Sequence, residues 1–183
     1  MTSTFPGFDS PAVGFEQPFE MLLACHERVR RSLALLGRLV RHVGDHGHDE
    51  QSRSAASDVL RYFDLAAPLH HDDEEQHVFP ILAGSGDADL AAAVAGLHSD
   101  HLRMSALWAG LRVTLEAWSG AGAAGAGAGA LLDQIADFDH LYAAHLATEE
   151  GVVFPAARAR MDDQRLAVMS ADMQRRRAVP VRP

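Results

Sequence analysis

Apolar residues recur at alternating spacings of three and four positions in four stretches of the chain, as they do in helices that pack into a bundle. The stretches cover residues 18–43, 51–81, 87–118 and 131–152. Pro18 suits the first turn of a helix, where its missing N–H is not needed, and Asp87 is a candidate N-cap for the third stretch. Helices of roughly 25–30 residues joined by short links predict an all-α, up-down-up-down four-helix bundle.

The segments outside these stretches lack the same periodicity. Residues 1–16 are expected to form an irregular N-terminal arm, residues 17–160 the bundle, and residues 161–183 a short C-terminal helix with a basic, solvated tail. A Gly/Ala tract at 119–129 precedes the fourth stretch and predicts a flexible linker.

Pro68 falls inside the second stretch. A proline within a helix removes one backbone hydrogen bond and crowds the carbonyl four residues earlier, which here belongs to Asp64. The sequence therefore predicts a kink in this helix just before His70.

Composition restricts the class of partner and the compartment. Of the 183 residues 48% are hydrophobic and 22% charged, as in an ordinary globular domain that can bury a core. A net charge of −9 argues against a nucleic-acid partner, because phosphate contacts require a basic surface. The single cysteine, Cys25, cannot form an internal disulfide and fits a reducing compartment. With no secretory signal and no apolar run of about 20 residues, we expect a cytoplasmic protein without membrane contact.

The apolar residues of each predicted helix form a stripe, or seam, that faces the core. Histidine and glutamate replace apolar residues at one depth of these seams. The unit H-x-x-x-E-E-x-x-x-F-P occurs twice, at residues 70–80 and 145–155. Residues four apart lie on the same face of a helix, so each unit directs one imidazole and one carboxylate toward the core. The first and third stretches each supply a histidine toward the same end of the bundle. The candidate metal ligands are thus His26, His70, Glu74, His101, His145 and Glu149.

Burying two carboxylates among imidazoles is costly unless something compensates their charge, and no arginine lies in the seam at this depth. Two metal ions would compensate it, and imidazole with carboxylate suits Fe, Zn, Mn or Co. The Glu-x-x-His pattern of ferritin-like bundles matches at residues 74–77 but is broken at 149–152. A second interpretation stays open, in which the histidines are hydrogen-bonded core residues of a helical interaction protein.

Several neighbours of these residues are secondary candidates. Three further histidines are possible additional ligands: His71, His77 and His98. Tyr142 either donates a hydrogen bond to a bound oxygen species or packs in the core. Glu75 and Glu150 follow the proposed ligands about 100° round the helix and are expected at the surface or behind the ligands. Phe79 and Phe154 are expected to be ordinary core residues.

The ordered ligand set resembles the hemerythrin-like (HHE cation-binding) family. The resemblance is carried by the histidines and glutamates above and by four segments: Pro18–Val29, His70–Pro80, Asp100–His101 and Met173–Arg176. It implies a non-haem di-iron centre in a four-helix bundle, with an oxo or hydroxo bridge between the ions. It also implies two roles: bridging carboxylates from Glu74 and Glu149, and terminal ligands from the histidines His26, His70, His101 and His145.

Two positions depart from the oxygen-carrying hemerythrins. Those proteins have a second third-helix histidine where this chain has Leu97, and an aspartate where it has Glu149. The departures argue against reversible O2 carriage and favour an open metal position.

We therefore expect a cytoplasmic di-iron protein that binds O2 or a related small oxidant, in sensing, storage or detoxification. The alternatives are a di-iron enzyme that turns over peroxide or NO, and an iron- or redox-sensing module. Zn or Mn could substitute for iron, and the expected partner is a small molecule.

Overall fold

The computed structural model describes residues 14–120 and 128–178, and within these ranges the chain is helical with no strand. Helix α1 spans Pro18–His46 and α3 spans Ala88–Ser119. Helix α2 is a continuous helical run of five segments: Glu50–Arg61, Tyr62–Ala66, Ala67–Asp73, Glu74–Val78 and Phe79–Ala83. Helix α4 has three segments: Ala128–Thr148, Glu149–Val153 and Phe154–Arg158. Helix α5 spans Asp163–Ala178. The predicted all-α bundle with a short C-terminal helix is confirmed.

The starts of α1 and α3 follow the predicted signals. Pro18 occupies the first turn of α1. The Asp87 carboxylate accepts hydrogen bonds from the backbone N–H groups of Asp89 and Leu90, at 3.1 and 3.2 Å, and caps α3. Such a cap satisfies N–H groups that have no partner within the helix.

Pro68 is accommodated by a wider turn. The segment Tyr62–Ala66 is π-helical, and the Ala67 N–H donates to the Tyr62 carbonyl five residues earlier. Pro68 then lies in the first turn of the next α-helical segment, where its missing N–H leaves no gap. This π-helical turn lies before Pro68 and His70, and the kink in the helix axis stays a prediction.

The core has two apolar clusters with the histidine layer between them. Along α1, one cluster includes Phe19 and Leu22 and the other begins at Val29, so His26 lies between them. Helix α3 passes the two clusters in the same order, whereas α2 and α4 pass them in the reverse order. Their proposed ligands therefore lie at one depth, with apolar residues on both sides.

Helix α5 packs on the cluster that includes Phe19 and Leu22. Met169 and Met173 are fully buried there. Near the end of α5, Arg176 and Arg177 each approach a carboxylate oxygen of buried Asp73 at 2.6 Å. Periodicity could not reveal this contact, since it joins an arginine of one helix to a carboxylate on another.

Parts of the predicted organisation lie outside the described residues. They are most of the N-terminal arm, the central part of the Gly/Ala tract and the last five residues. Among the helices of the described ranges, none combines the length and apolar character needed to cross a bilayer.

Candidate metal centre

Six side chains from the four bundle helices converge in one buried layer. They are His26 of α1, His70 and Glu74 of α2, His101 of α3, and His145 and Glu149 of α4. None is more than 4% exposed. The structure thus brings together all six residues that the sequence proposes as metal ligands.

Their donor atoms form two groups that share both glutamates. We call one group the first position (His26, His70, Glu74 and Glu149) and the other the second position (His101, His145, Glu74 and Glu149). Within each group, the donor atoms all lie within 4.8 Å of one another. Each position therefore offers two imidazole nitrogens and two carboxylate oxygens.

Each glutamate directs one oxygen to each position. At the first position, Glu74 Oε1 is 3.1 Å from His70 Nε2, and Glu149 Oε2 is 3.2 Å from His26 Nε2. At the second, Glu74 Oε2 is 3.5 Å from His101 Nε2, and Glu149 Oε1 is 3.0 Å from His145 Nε2. Both carboxylates can therefore bridge two cations, as glutamates do in two-metal helical bundles.

Most of these donor atoms have no hydrogen bond. His26 Nε2, His70 Nε2 and both oxygens of Glu74 and of Glu149 are buried without a partner among the described residues. Buried polar atoms normally have partners, and converging carboxylate oxygens repel one another. Cations at the two positions would satisfy these atoms, and the imidazole and carboxylate donors suit iron, zinc or manganese. The residues therefore fit a pair of metal ions.

The protonation states of the protein without metal support the same conclusion. Burial and the neighbouring Glu149 raise the pKa of Glu74 well above its usual value. Burial opposes ionisation of Glu149 as well, but the imidazoles of His145 and His26 lower its pKa. Burial lowers the pKa of His70, and burial with the nearby His145 lowers that of His101 to about 3. Neutral imidazoles keep a lone pair free for a metal.

Comparison with known families agrees with this geometry. The family model of the hemerythrin HHE cation-binding domain matches residues 17–157. The chain belongs to this family. The matched segment contains all six clustered ligand candidates and ends before α5.

A relative of this hemerythrin-family chain is an uncharacterized protein of Haemophilus influenzae. The two are 35% identical over 102 residues, which is 56% of this chain. The match covers 59% of the relative's length.

In this hemerythrin-family site, the second glutamate of each repeated unit contacts a histidine of another helix. Glu75 Oε1 lies 2.7 Å from His101 Nδ1, and Glu150 Oε1 lies 2.8 Å from His26 Nδ1. Each of these glutamates directly follows a proposed ligand in the sequence. Its side chain lies behind the ligands, which is one of the two locations expected from the sequence.

The phenylalanine of each unit contacts the same histidine as the glutamate. The Phe79 ring stacks on His101 with centroids 5.5 Å apart, and the Phe154 ring stacks on His26 at 5.2 Å. Both phenylalanines are buried core residues, as expected, but the sequence did not reveal which histidine each one contacts. The sequence feature that could have indicated these contacts is the repetition of the glutamate and the phenylalanine at the same place in each unit.

The secondary candidates lie outside both positions. His77 contacts Asp172 of α5 at 2.9 Å, and exposed His98 lies 3.3 Å from Glu75. His71 stacks on His101 with centroids 3.9 Å apart, and its buried Nε2 has no hydrogen-bond partner among the described residues. Tyr142 is buried near His71, with ring centroids 6.3 Å apart, and burial raises its pKa, so it is a neutral phenol.

Proposed function

We propose that this hemerythrin-family protein holds two iron ions and binds O2 or a related small oxidant at them. The observation that carries the proposal is the shared carboxylate pair, because Glu74 and Glu149 each direct one oxygen to each pair of imidazoles. His26 and His70 would complete one iron position, and His101 and His145 the other.

The bound iron would supply the redox and ligand-binding chemistry. Each position offers four protein donor atoms, fewer than the six of octahedral coordination, and this supports room for a small ligand. The third helix contributes His101 to the clusters and has Leu97 in place of a further histidine. The protein chain would hold the ions, exclude bulk water through the flanking apolar clusters, and keep the imidazoles of His70 and His101 neutral.

We extend the same proposal to the protein's location and its role in the cell. Cys25 is a free, buried thiol, which supports a cytoplasmic setting. Sensing, storage or detoxification of the oxidant would all use the same metal centre.

Metal analysis of protein expressed with iron tests the proposal. We expect close to two Fe per chain and a ferric absorption band in the near-ultraviolet after exposure to air. Zinc or manganese should occupy the same residues when iron is withheld. Protein that takes up none of these metals, with unchanged thermal stability when they are added, would contradict the proposal.

Addition of oxidant to the iron-loaded protein separates ligand binding from turnover. A spectral change that reverses when O2 is removed supports binding. Steady O2 evolution from peroxide, or sustained NO consumption with a reductant, would instead assign turnover and overturn the binding role.

A further inference from the structure

In each repeated unit, the second glutamate and the phenylalanine contact the same histidine outside the unit. The unit of α2 contacts His101 of α3 through Glu75 and Phe79, and the unit of α4 contacts His26 of α1 through Glu150 and Phe154. The two sets of contacts match residue for residue. His26 and His101 are also the two clustered histidines that lie outside the repeated units.

We infer that Glu75 and Glu150 are positioning residues that orient His101 and His26 toward the metal positions. The inference rests on the proposed function, since it assigns the glutamates a role toward bound metal. Each copy of the unit would then supply three parts of the centre: a histidine ligand, a bridging carboxylate, and a glutamate that orients the histidine of a neighbouring helix.

The hydrogen bond fixes which ring nitrogen can bind a metal. A carboxylate accepts a hydrogen bond from Nδ1–H, so the Nε2 of the same neutral ring keeps its lone pair. In both histidines it is Nε2 that faces the shared glutamates, at 3.2 Å from Glu149 for His26 and 3.5 Å from Glu74 for His101. The stacked phenylalanine restricts rotation of the ring. A carboxylate behind a ligand histidine also increases the basicity of the imidazole.

A π-helical turn at each unit accompanies this arrangement. The turns Glu74–Val78 and Glu149–Val153 both begin at the bridging glutamate. The positioning glutamate is the next residue in each turn. The repeated sequence therefore has a repeated local geometry, as expected if the two glutamates act in the same way.

The two positioning glutamates have different second partners. Glu150 also accepts a hydrogen bond from Arg30 at 2.7 Å, whereas Glu75 lies 3.3 Å from the exposed His98. Arg30 is itself held by Glu27 at 2.6 Å. Glu27 thus offers a matched control, because it contacts the same arginine and has no contact with a clustered imidazole among the described residues.

Three variants of the full-length protein test the inference: Glu75→Gln, Glu150→Gln and the control Glu27→Gln. Loading with zinc, which is diamagnetic, allows the ring nitrogens to be followed by NMR while metal affinity is measured by competition with a chelator. Glu75→Gln should shift the Nδ1–H signal of His101 and lower the affinity for one zinc ion about 10- to 100-fold. Glu150→Gln should do the same for His26 and the other ion.

The control variant and the wild type separate the possible results. Glu27→Gln should match the wild type in both measurements. If Glu75→Gln and Glu150→Gln hold two zinc ions with wild-type affinity and unshifted histidine signals, the positioning role is overturned although the metal centre stands. If the wild type itself binds no metal, the proposed function fails instead. Glutamine is nearly isosteric, and circular dichroism of each variant should show the wild-type helix content.

Discussion

Glu74 and Glu149 occupy the same place in the two repeated units and share both candidate metal positions. Each is fully buried, begins a π-helical turn, and directs its two oxygens to different pairs of imidazoles. Two carboxylates so close together in a core are unfavourable without a cation or a proton.

Replacing a shared glutamate should cost bound metal. Glu149→Ala removes an oxygen donor from each position, so we expect it to lose at least one of two iron ions per chain. The exposed Glu116→Ala, which removes only an ion pair with Arg112, should retain both. Metal content measured on purified protein decides the result, and full occupancy in Glu149→Ala would refute its bridging role.

Glu74→Gln should change stability and metal binding in opposite directions. In the metal-free protein, a raised pKa at Glu74 means that its contribution to stability is complete below the unfolded pKa, near 4.5, and is lost as pH rises toward the folded value. An uncharged glutamine avoids this loss. We expect the variant without metal to unfold at a higher temperature than the wild type, and the difference to increase from pH 5 to pH 8.

The same variant should bind metal more weakly than the wild type. Each kcal/mol changes the melting temperature by roughly 2–4 °C in a chain of this size, so calorimetry with and without added metal can resolve both effects. A metal-free Glu74→Gln protein that melts below the wild type throughout this pH range would argue against the repulsion between the two carboxylates.

Buried histidines should make the metal-free protein sensitive to acid. Burial and nearby histidines lower the pKa of His70, and lower those of His71 and His101 to about 3. Unfolded chains take up these protons below about pH 6.5, whereas the folded chain does not. The free energy of unfolding should therefore fall between pH 6.5 and 3, by up to about 1.4 kcal/mol per pH unit for each histidine.

Urea unfolding of metal-free protein at pH 7.5 and pH 5 measures this effect. His71→Gln should reduce the pH dependence, since it removes one of the three groups without removing a clustered donor. His140→Gln, at an exposed position on α4, should leave it unchanged. Equal pH dependence in both variants would rule out a contribution from His71.

The contact between α5 and Asp73 should protect Cys25. The Asp73 side chain is fully buried against Arg176 and Arg177. Burial raises the pKa of the Cys25 thiol, although the nearby charge of Arg177 acts in the opposite direction. Arg177→Ala leaves Asp73 with one arginine, which should cost about 1–3 kcal/mol and loosen α5. Because Cys25 is the single cysteine, labelling with a thiol reagent reports on this site alone.

Labelling of Cys25 should be faster in Arg177→Ala than in the wild type. Arg175→Ala is the matched control, because Arg175 is largely exposed and pairs with Asp172 rather than Asp73. If both variants are labelled at the wild-type rate, α5 does not control access to Cys25.

Local patterns in the sequence predict the helices and the residues of the core layer. Spacings of three and four identify the face of each helix that is buried, and His26 or Glu74 on such a face is visible without coordinates. Asp87 and Pro68 mark a helix start and an irregular turn because capping and the missing proline N–H are local effects. The candidate ligands follow from the same local rules.

Contacts between helices were decided by the tertiary structure. Periodicity fixes the direction of a side chain from its own helix axis, but not the rotation and depth of the neighbouring helix. Glu75 could thus be placed near the ligands, whereas its partner His101 could not be named. The contact of Arg177 with Asp73 is of the same kind, since it depends on how α5 packs over the bundle. Close packing of the apolar clusters sets these relative positions, and with them which oxygen of each glutamate faces which pair of histidines.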